Sequence, residues 1–284
     1  MKADKAAQGG RLSRQVERQR AISEMVMAEG AVRIDQLAER FGTSQMTVHR
    51  DLDELEARGL LRKSRGVATA LSSSLVESSD VYRASQQQEE KHDIARAALE
   101  FVEPGQAVFL DDSTTVLQLA RLLPARRPLT VITNVLTILE ELKATRGISL
   151  VALGGAYYNW CNSFMGGMTT DAIKKLRADV YIMSTAAITD DTCFFQSQET
   201  VDVKRSMFDC AAKRVLLADH TKFEKRALYA LAPLVDFDAV IVHGKTDREH
   251  IRRLEAKGVN VVVARPHTAH PQPAPNRAQT GGIL

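Results

Sequence analysis

Two sets of residues in this chain have the types and spacing to do chemistry. The first is Ser44, Gln45, Met46, Thr47, His49 and Arg50, followed by Arg62, Lys63 and Arg65. Arginine and histidine donate to guanine O6 and N7 or to phosphate, and a methionine such as Met46 touches a thymine methyl. Ser44, Gln45 and Thr47 stand where the first turn of a helix offers hydroxyl and backbone N–H groups to phosphate. The competing reading pairs His49 with Asp53 and Arg50 with Glu54 along one helix face. The second set is spread over the rest of the chain: Asp111-Asp112-Ser113-Thr114-Thr115, Thr133-Asn134, Gly154-Gly155, Lys204, and Asp219 with Lys222. Hydroxyls and free N–H groups at helix starts cradle phosphate, glycine admits close backbone approach, and acids and lysines bind hydroxyls and anions. Singly, these residues are also ordinary helix caps, turns and surface charges. Together they describe a site for a small anionic, polyhydroxylated ligand.

The elements that must position the first set are short. Ile34, Leu37, Ala38 and Phe41 form a helical stripe that stops at Gly42, and Thr43 or Ser44 caps the next helix. In that helix Val48, Leu52 and Leu55 face a small core, which turns Met46, His49 and Arg50 outward with Thr47 at the flank. Residues 60–70 carry Arg62, Lys63 and Arg65 around Gly66, as a two-stranded basic wing would. Upstream, residues 14–28 supply Ile22, Met25 and Val26 as a third, supporting helix. The order is that of a winged helix-turn-helix able to enter a DNA groove.

The second set sits at the ends of strands, except Lys204, which lies within the helix before the strand that ends at Ala218. Apolar runs at Ala107–Leu110, Leu129–Thr133, Ile148–Leu153, Val180–Ser184, Val215–Ala218, Ala239–Val242 and Val259–Val263 alternate with amphipathic helices. That pattern predicts an α/β domain with a mostly parallel sheet covered on both faces, which binds ligands beyond the C-terminal ends of its strands.

Composition agrees. The chain of 284 residues is 44% hydrophobic and 26% charged, enough for one small module and one larger domain. Residues 1–70 hold 13 Lys+Arg against 10 Asp+Glu, leaving 25 against 25 elsewhere, so the excess positive charge lies with the winged helix. Cys161, Cys193 and Cys210 show neither CxxC spacing nor even number. No apolar run is long enough to span a bilayer, no signal peptide is visible, and a reducing cytoplasm is expected. His267 and His270 form an HxxH pair without further ligands, and neither a metal nor a cofactor is expected. The expected layout is a winged helix over 14–70, a linker over 71–90 marked by Ser-Ser-Ser and Gln-Gln-Gln, and a sensor and oligomerisation domain over 91–264. Disordered tails are expected at 1–13 and, Pro-rich, at 265–284.

Arg18-Gln19, Leu37-Ala38, Ser44, Thr47-Val48-His49-Arg50-Asp51-Leu52, Leu55, Glu56 and Gly59 resemble the N-terminal domain of DeoR-family transcriptional regulators. The family usually has two arginines where this chain has His49-Arg50. Its wing is usually His-Gly-Gly-Ala, against Arg65-Gly66-Val67-Ala68 here, and Val67 is expected to restrict that turn. Phe109-Leu110-Asp111, Ser113-Thr114-Thr115, Val131-Ile132-Thr133-Asn134, Leu153-Gly154-Gly155, Gly166, Ala178-Asp179, Lys204 and Asp219-Lys222-Phe223 look like the family's effector domain. The resemblance implies a fold similar to ribose-5-phosphate isomerase and a phosphorylated sugar as effector. It would place phosphate on Ser113, Thr114, Thr115 and Lys222 or Lys204, and sugar hydroxyls on Asp111 and Asp219. Asp112 is an extra acid beside that loop.

The function expected is a repressor of a carbohydrate-metabolism operon, homo-oligomeric, binding double-stranded operator DNA and released by the sugar phosphate. The alternative is an isomerase-like enzyme with an appended DNA-binding module, which requires a carboxylate base that nothing in the sequence singles out. If Arg50 reads a base, Arg50→Ala costs about 1–3 kcal/mol of operator affinity and relaxes specificity at one position. A uniform loss across sequences with a shallower salt dependence makes Arg50 a phosphate contact instead.

Overall fold

The computed structural model describes residues 15, 17–19, 21–23, 25–26, 29–57, 61–70 and 80–266. The tail expected at 1–13, residues 267–284 of the tail expected at 265–284, and Gly59 lie outside the described residues.

The N-terminal unit is a three-helix core with a small sheet. Helix α1 is helical at its described positions between 15 and 26. Strand β1 (Ala31–Arg33), helix α2 (Ile34–Arg40) and helix α3 (Gln45–Ala57) follow, then strands β2 (Leu61–Ser64) and β3 (Val67–Ala70). Ile22, Val26, Leu37, Val48, Leu52 and Leu55 are buried together, so the apolar stripes read from spacing do meet. Gly42 takes φ +57° at the turn, a conformation glycine adopts without steric cost. Of the two capping candidates, Ser44 is the cap: its Oγ accepts from the Thr47 N–H at 3.2 Å.

Two expectations change here. A strand precedes α2, and the sheet order is β1-β3-β2, so the wing is anchored on its inner edge. Three residues are too short to show a period in sequence. The wing turn consists of Arg65 (φ +47°) and Gly66 (φ +77°), while Val67 already pairs with Ser64. Both central residues of such a two-residue hairpin turn need positive φ, so the strained position is Arg65, and Val67 restricts nothing.

The segment 71–90 is not linker throughout. Helix α4 covers Asp80–Ser85, and α5 (Gln88–Ala98) begins inside the expected linker with Glu90 buried. Helix α5 starts at the last glutamine of the Gln-Gln-Gln run and packs through Ile94, Ala95 and Ala98.

The larger domain runs through β4 (Ala107–Leu110), α6 (Thr114–Leu122), β5 (Leu129–Thr133), α7 (Leu136–Leu142), β6 (Ile148–Ala152), β7 (Ala156–Tyr158), β8 (Ser163–Met165) and α8 (Gly167–Lys174). It continues through β9 (Ala178–Ser184), β10 (Ala187–Thr189), β11 (Thr192–Phe195), α9 (Gln198–Asp209), β12 (Ala211–Ala218), β13 (Tyr229–Pro233), β14 (Ala239–His243), α10 (Arg248–Ala256) and β15 (Val261–Ala264). Seven strands form one sheet in the order β15-β14-β12-β9-β4-β5-β6, with every neighbouring pair parallel. Alternate residues fill two cores: Val108, Leu110, Val180 and Ile182 pack under α5, α6 and α7, while Phe109, Tyr181 and Met183 pack under α8, α9 and α10. Burial on both faces is why these strands read as unbroken apolar runs. The antiparallel pieces β7-β8 and β10-β11-β13 were not legible, being three to five residues long and mixed in polarity.

One polar contact fastens the reading helix to its support. Asp51 is 1% exposed on α3 and accepts from Arg18 Nε at 2.6 Å and Gln19 Nε2 at 3.2 Å. Hydrogen bonds to a charged group contribute about 1.5–3 kcal/mol. Asp51→Ala should lower the urea stability of the winged helix by about that amount, leaving the transition of the larger domain unchanged.

Candidate functional site

The three central strands β12, β9 and β4 end side by side, and their C-terminal loops enclose a cavity of about 220 Å³. Strand β4 delivers Asp112, Ser113, Thr114 and Thr115; β9 delivers Ser184 and Thr185; β12 delivers Asp219, Thr221 and Lys222. Lys204 enters from α9, and the remaining wall comes from α4 and α5 with Arg83, Gln86, Gln87 and Lys91. Ser113 is the N-cap of α6, its Oγ accepting from Val116 N at 3.2 Å. The N–H groups of Thr114 and Thr115 therefore belong to a first turn that has no intrahelical acceptors for them.

A buried ion cluster forms the floor. Lys204 Nζ lies 2.6 Å from Asp111 Oδ2 and 2.6 Å from Asp112 Oδ1, with all three side chains at most 5% exposed. Burial opposes the charge of Lys204, but the two carboxylates outweigh it and hold its pKa above the ordinary lysine range. Burial likewise pushes the carboxyl of Asp111 up. For Asp112 burial is outweighed by Lys204 and Arg83, which hold it below the usual range.

The opposite wall is richer in cations than in acids. Burial, then neighbouring Lys222, push Lys91 down to about 7, against the pull of Asp219. Lys91 is 3% exposed and its Nζ donates to the Arg83 carbonyl. Asp219 caps its own loop, accepting from Thr221 N at 3.0 Å, and lies 3.8 Å from Lys222 Nζ. Burial raises its pKa, but Lys222 and the Thr221 hydroxyl bring it below the ordinary value. Helix α5 is held against this loop by Glu90, which binds His220 Nδ1 at 2.8 Å. The lining carries five cations (Arg83, Lys91, Lys204, Lys222, Lys225) against Asp112 and Asp219, so the cavity favours an anion.

Of the expected ligand residues, Ser113, Thr114, Thr115, Lys204, Asp219 and Lys222 line this cavity. Asp111 does not: it turns inward to bind Ser113 N at 3.0 Å, Ser184 N at 3.2 Å and Lys204. Asp112, an extra acid beside the loop, shares the Lys204 ammonium with Asp111. Thr133, Asn134, Gly154 and Gly155 lie at the ends of β5 and β6, on the far side of β4. There Thr133 Oγ1 donates to Leu110 O at 2.8 Å, and Asn134 Nδ2 donates to Phe164 O at 2.8 Å. A Cβ on Gly155 would lie 2.1 Å from Thr169 Oγ1 and 2.6 Å from Met165 O, so packing requires that glycine. Ser184 and Thr185 were missed although their strand was placed; inspecting the C-terminal end of every parallel strand finds them. Nothing local marks Arg83, Gln86, Gln87 or Lys91.

On the DNA-binding side, Met46 is 72% exposed, Ser44, Gln45 and Arg50 are exposed, and Thr47 and His49 are half-buried. The intrahelical pairs do not form. Glu54 accepts from Gln15 and Gln19, and Asp53 binds Lys63. Among the described residues neither His49 nor Arg50 has a hydrogen-bond or ion-pair partner. Lys63 therefore spends its charge within the fold, while Arg62 and Arg65 stay exposed on the wing. Gln45, His49 and Arg65 line one groove between α3 and the wing.

Residues 18–74 match the DeoR-like helix-turn-helix domain and residues 86–244 match the DeoR C terminal sensor domain. The transcriptional repressor AccR of Agrobacterium fabrum is 33% identical over 81% of this chain and 90% of its own length. The lactose phosphotransferase system repressor of Lactococcus lactis is 30% identical over 81% of this chain and 91% of its own. Among solved structures, ribose 5-phosphate isomerase A from Neisseria gonorrhoeae is 17% identical, with a TM-score of 0.37 over 50% of this chain and 56% of that one. The two matched domains and the two repressors define a DNA-binding transcriptional regulator, not an enzyme carrying an accessory module. The chain belongs to the DeoR family, as the resemblance of its motifs implied.

Removing one member of a buried ion cluster leaves uncompensated charge and costs about 3–5 kcal/mol. Lys204→Met should show that loss in chemical denaturation of the sensor domain. Replacing Lys204, Asp111 and Asp112 together by apolar residues should recover most of it.

Proposed function

We propose that this regulator represses a carbohydrate-metabolism operon and leaves its operator when a phosphorylated sugar fills the cavity at the ends of β4, β9 and β12. The observation that carries this reading is the cavity's division into two kinds of wall. The start of α6 offers the Thr114 and Thr115 N–H groups, with Lys222 and Lys91 nearby, which is the chemistry of phosphate binding. Ser184, Thr185, Gln86 and the remaining lone pairs of Asp219 offer donors and acceptors suited to sugar hydroxyls. A relative from Escherichia coli, 30% identical over 80% of this chain, is named for the glycerol-3-phosphate regulon, which fits a phosphorylated polyol as effector.

On the DNA side, Ser44, Gln45, Met46, Thr47, His49 and Arg50 would enter the major groove, with Arg62 and Arg65 on the flanking backbone. One small winged helix makes few base contacts, so tight binding calls for paired modules on half-sites in a homo-oligomer. The effector would act by differential affinity for two subunit arrangements, one of which matches the operator. Such a regulator works in the cytoplasm, where its DNA and sugar phosphates are found; among the described residues no helix is long and apolar enough to cross a membrane.

Operator binding followed by fluorescence anisotropy, during titration with a panel of phosphorylated sugars, tests this. One compound should release the DNA, and Lys222→Ala or Thr114→Ala should abolish the release without loss of operator binding. Tight specific DNA binding indifferent to every compound would refute the sensor assignment. The pH dependence has a defined sign. Lys91 is half neutral near pH 7 in the free protein, and an anion favours its charged form. Effector affinity should therefore fall as pH rises above about 7, and Lys91→Arg, charged throughout, should remove that fall.

A further inference from the structure

The wall of the cavity formed by Arg83, Gln86, Gln87 and Lys91 belongs to the stretch of chain that leads in from the winged helix. Residues 71–79 stand between β3 and α4, and α4 then turns into α5 across Gln86 and Gln87. Three features make this stretch separately adjustable. Helix α4 has only six residues, too few to persist alone. Gln87 sits at φ +46°, ψ +42°, a left-handed conformation that a non-glycine residue holds only under constraint. The helix is docked at two ends by identifiable polar contacts.

At the first end, Asp80 N donates to Trp160 O at 2.8 Å and Asn162 Nδ2 donates to Asp80 Oδ2 at 2.8 Å. The Arg83 guanidinium lies 5.8 Å from the centre of the Trp160 ring. At the second end, the Arg83 carbonyl accepts from Gln86 N at 3.3 Å and from Lys91 Nζ. That carbonyl is one of the last-turn acceptors of α4, which have no partners within the helix. Lys91 thus does two things with one amine: it closes the C-terminal end of α4 and it faces the cavity.

We infer that Lys91 is the residue through which occupancy of the cavity is converted into docking of α4, the helix next to the DNA-binding unit in the chain. This deepens the anion-site reading above and rests on it. A neutral amine has two N–H donors and an ammonium has three. An anion that draws a proton onto Lys91 turns its hydrogen bonds to the ligand and to the Arg83 carbonyl into charge-assisted ones, which strengthens both at once. Gln86 and Gln87, facing the same cavity, are ordered by the same event. The ligand therefore strengthens the attachment of α4, and by linkage the attachment of α4 must strengthen ligand binding by the same factor.

Reciprocity gives a test that spares the cavity. Asp80 does not line it, so Asp80→Ala weakens the docking end alone. Inorganic phosphate is the probe, added to the full chain, with calorimetry for affinity and hydrogen exchange for local order. Trp160, the only tryptophan, is a fluorescent reporter beside α4. In the unaltered protein, phosphate should slow exchange both at 113–117 and at 81–90, and should change Trp160 emission. In Asp80→Ala, phosphate affinity should fall about fivefold or more. Slowed exchange at 113–117, with residues 81–90, Trp160 emission and Asp80→Ala affinity all unmoved, would overturn the coupling while leaving the anion site standing. No effect of phosphate at 113–117 would overturn the anion site itself, and the coupling with it.

Discussion

The cavity at the ends of β4, β9 and β12 depends on a buried lysine bracketed by two carboxylates. Lys204 reaches from α9 to Asp111 and Asp112 at the end of β4, and Asp111 also holds the Ser184 N–H at the end of β9. Three chain segments distant in sequence are thereby locked at one point. Such a cluster adds little net stability, because desolvating three ions offsets most of their attraction. Its value is geometric. It fixes the start of α6 beside the Ser184-Thr185 loop, and it engages the carboxylate of Asp112 with an ammonium.

With Lys204 matched, the charge available to a ligand lies on the other wall. Lys91 and Lys222 are there, and Glu90 holds α5 against the loop after β12 through His220. Burial makes Lys91 easily deprotonated, so the unliganded cavity carries less positive charge than its residue list implies. In the function proposed, an anion would recover that charge on arrival. The site is therefore adjustable on the side built by α4 and α5 and rigid on the side built by the ion cluster.

The DNA-binding unit also engages its acids within the fold, Asp51 buried and Asp53 and Glu54 at the surface. Asp51, Asp53 and Glu54 are all engaged with α1 or the wing, through Arg18, Gln19, Gln15 and Lys63. This acidic side of α3 serves assembly and leaves His49 and Arg50 without internal partners among the described residues. Asp53 and Glu54 share a helix face with His49 and Arg50, and because those acids are engaged elsewhere, both side chains stay available to a polyanionic duplex. The excess charge of the whole unit is too small to bring this about unaided.

The sequence alone determined the two-domain plan, the helices of the winged unit and the parallel strands. Core-facing residues there recur at fixed periods, as in Val48, Leu52 and Leu55, or run unbroken, as in Val131 and Ile132. It also placed Ser113, Thr114, Thr115, Asp219 and Lys222 near one another, since parallel strands open their ligand sites at one end, and the family resemblance added Lys204. Only tertiary structure decided which strand ends adjoin. The order β12-β9-β4 brings Ser184 and Thr185 into the cavity, while Thr133, Asn134, Gly154 and Gly155 end beyond it. It likewise decided that Asp111 supports the site from beneath, and that the connecting segment with Lys91 closes the cavity. Strand order and long-range ion pairing arise from how whole helices pack across the sheet, and no local period in the chain encodes that.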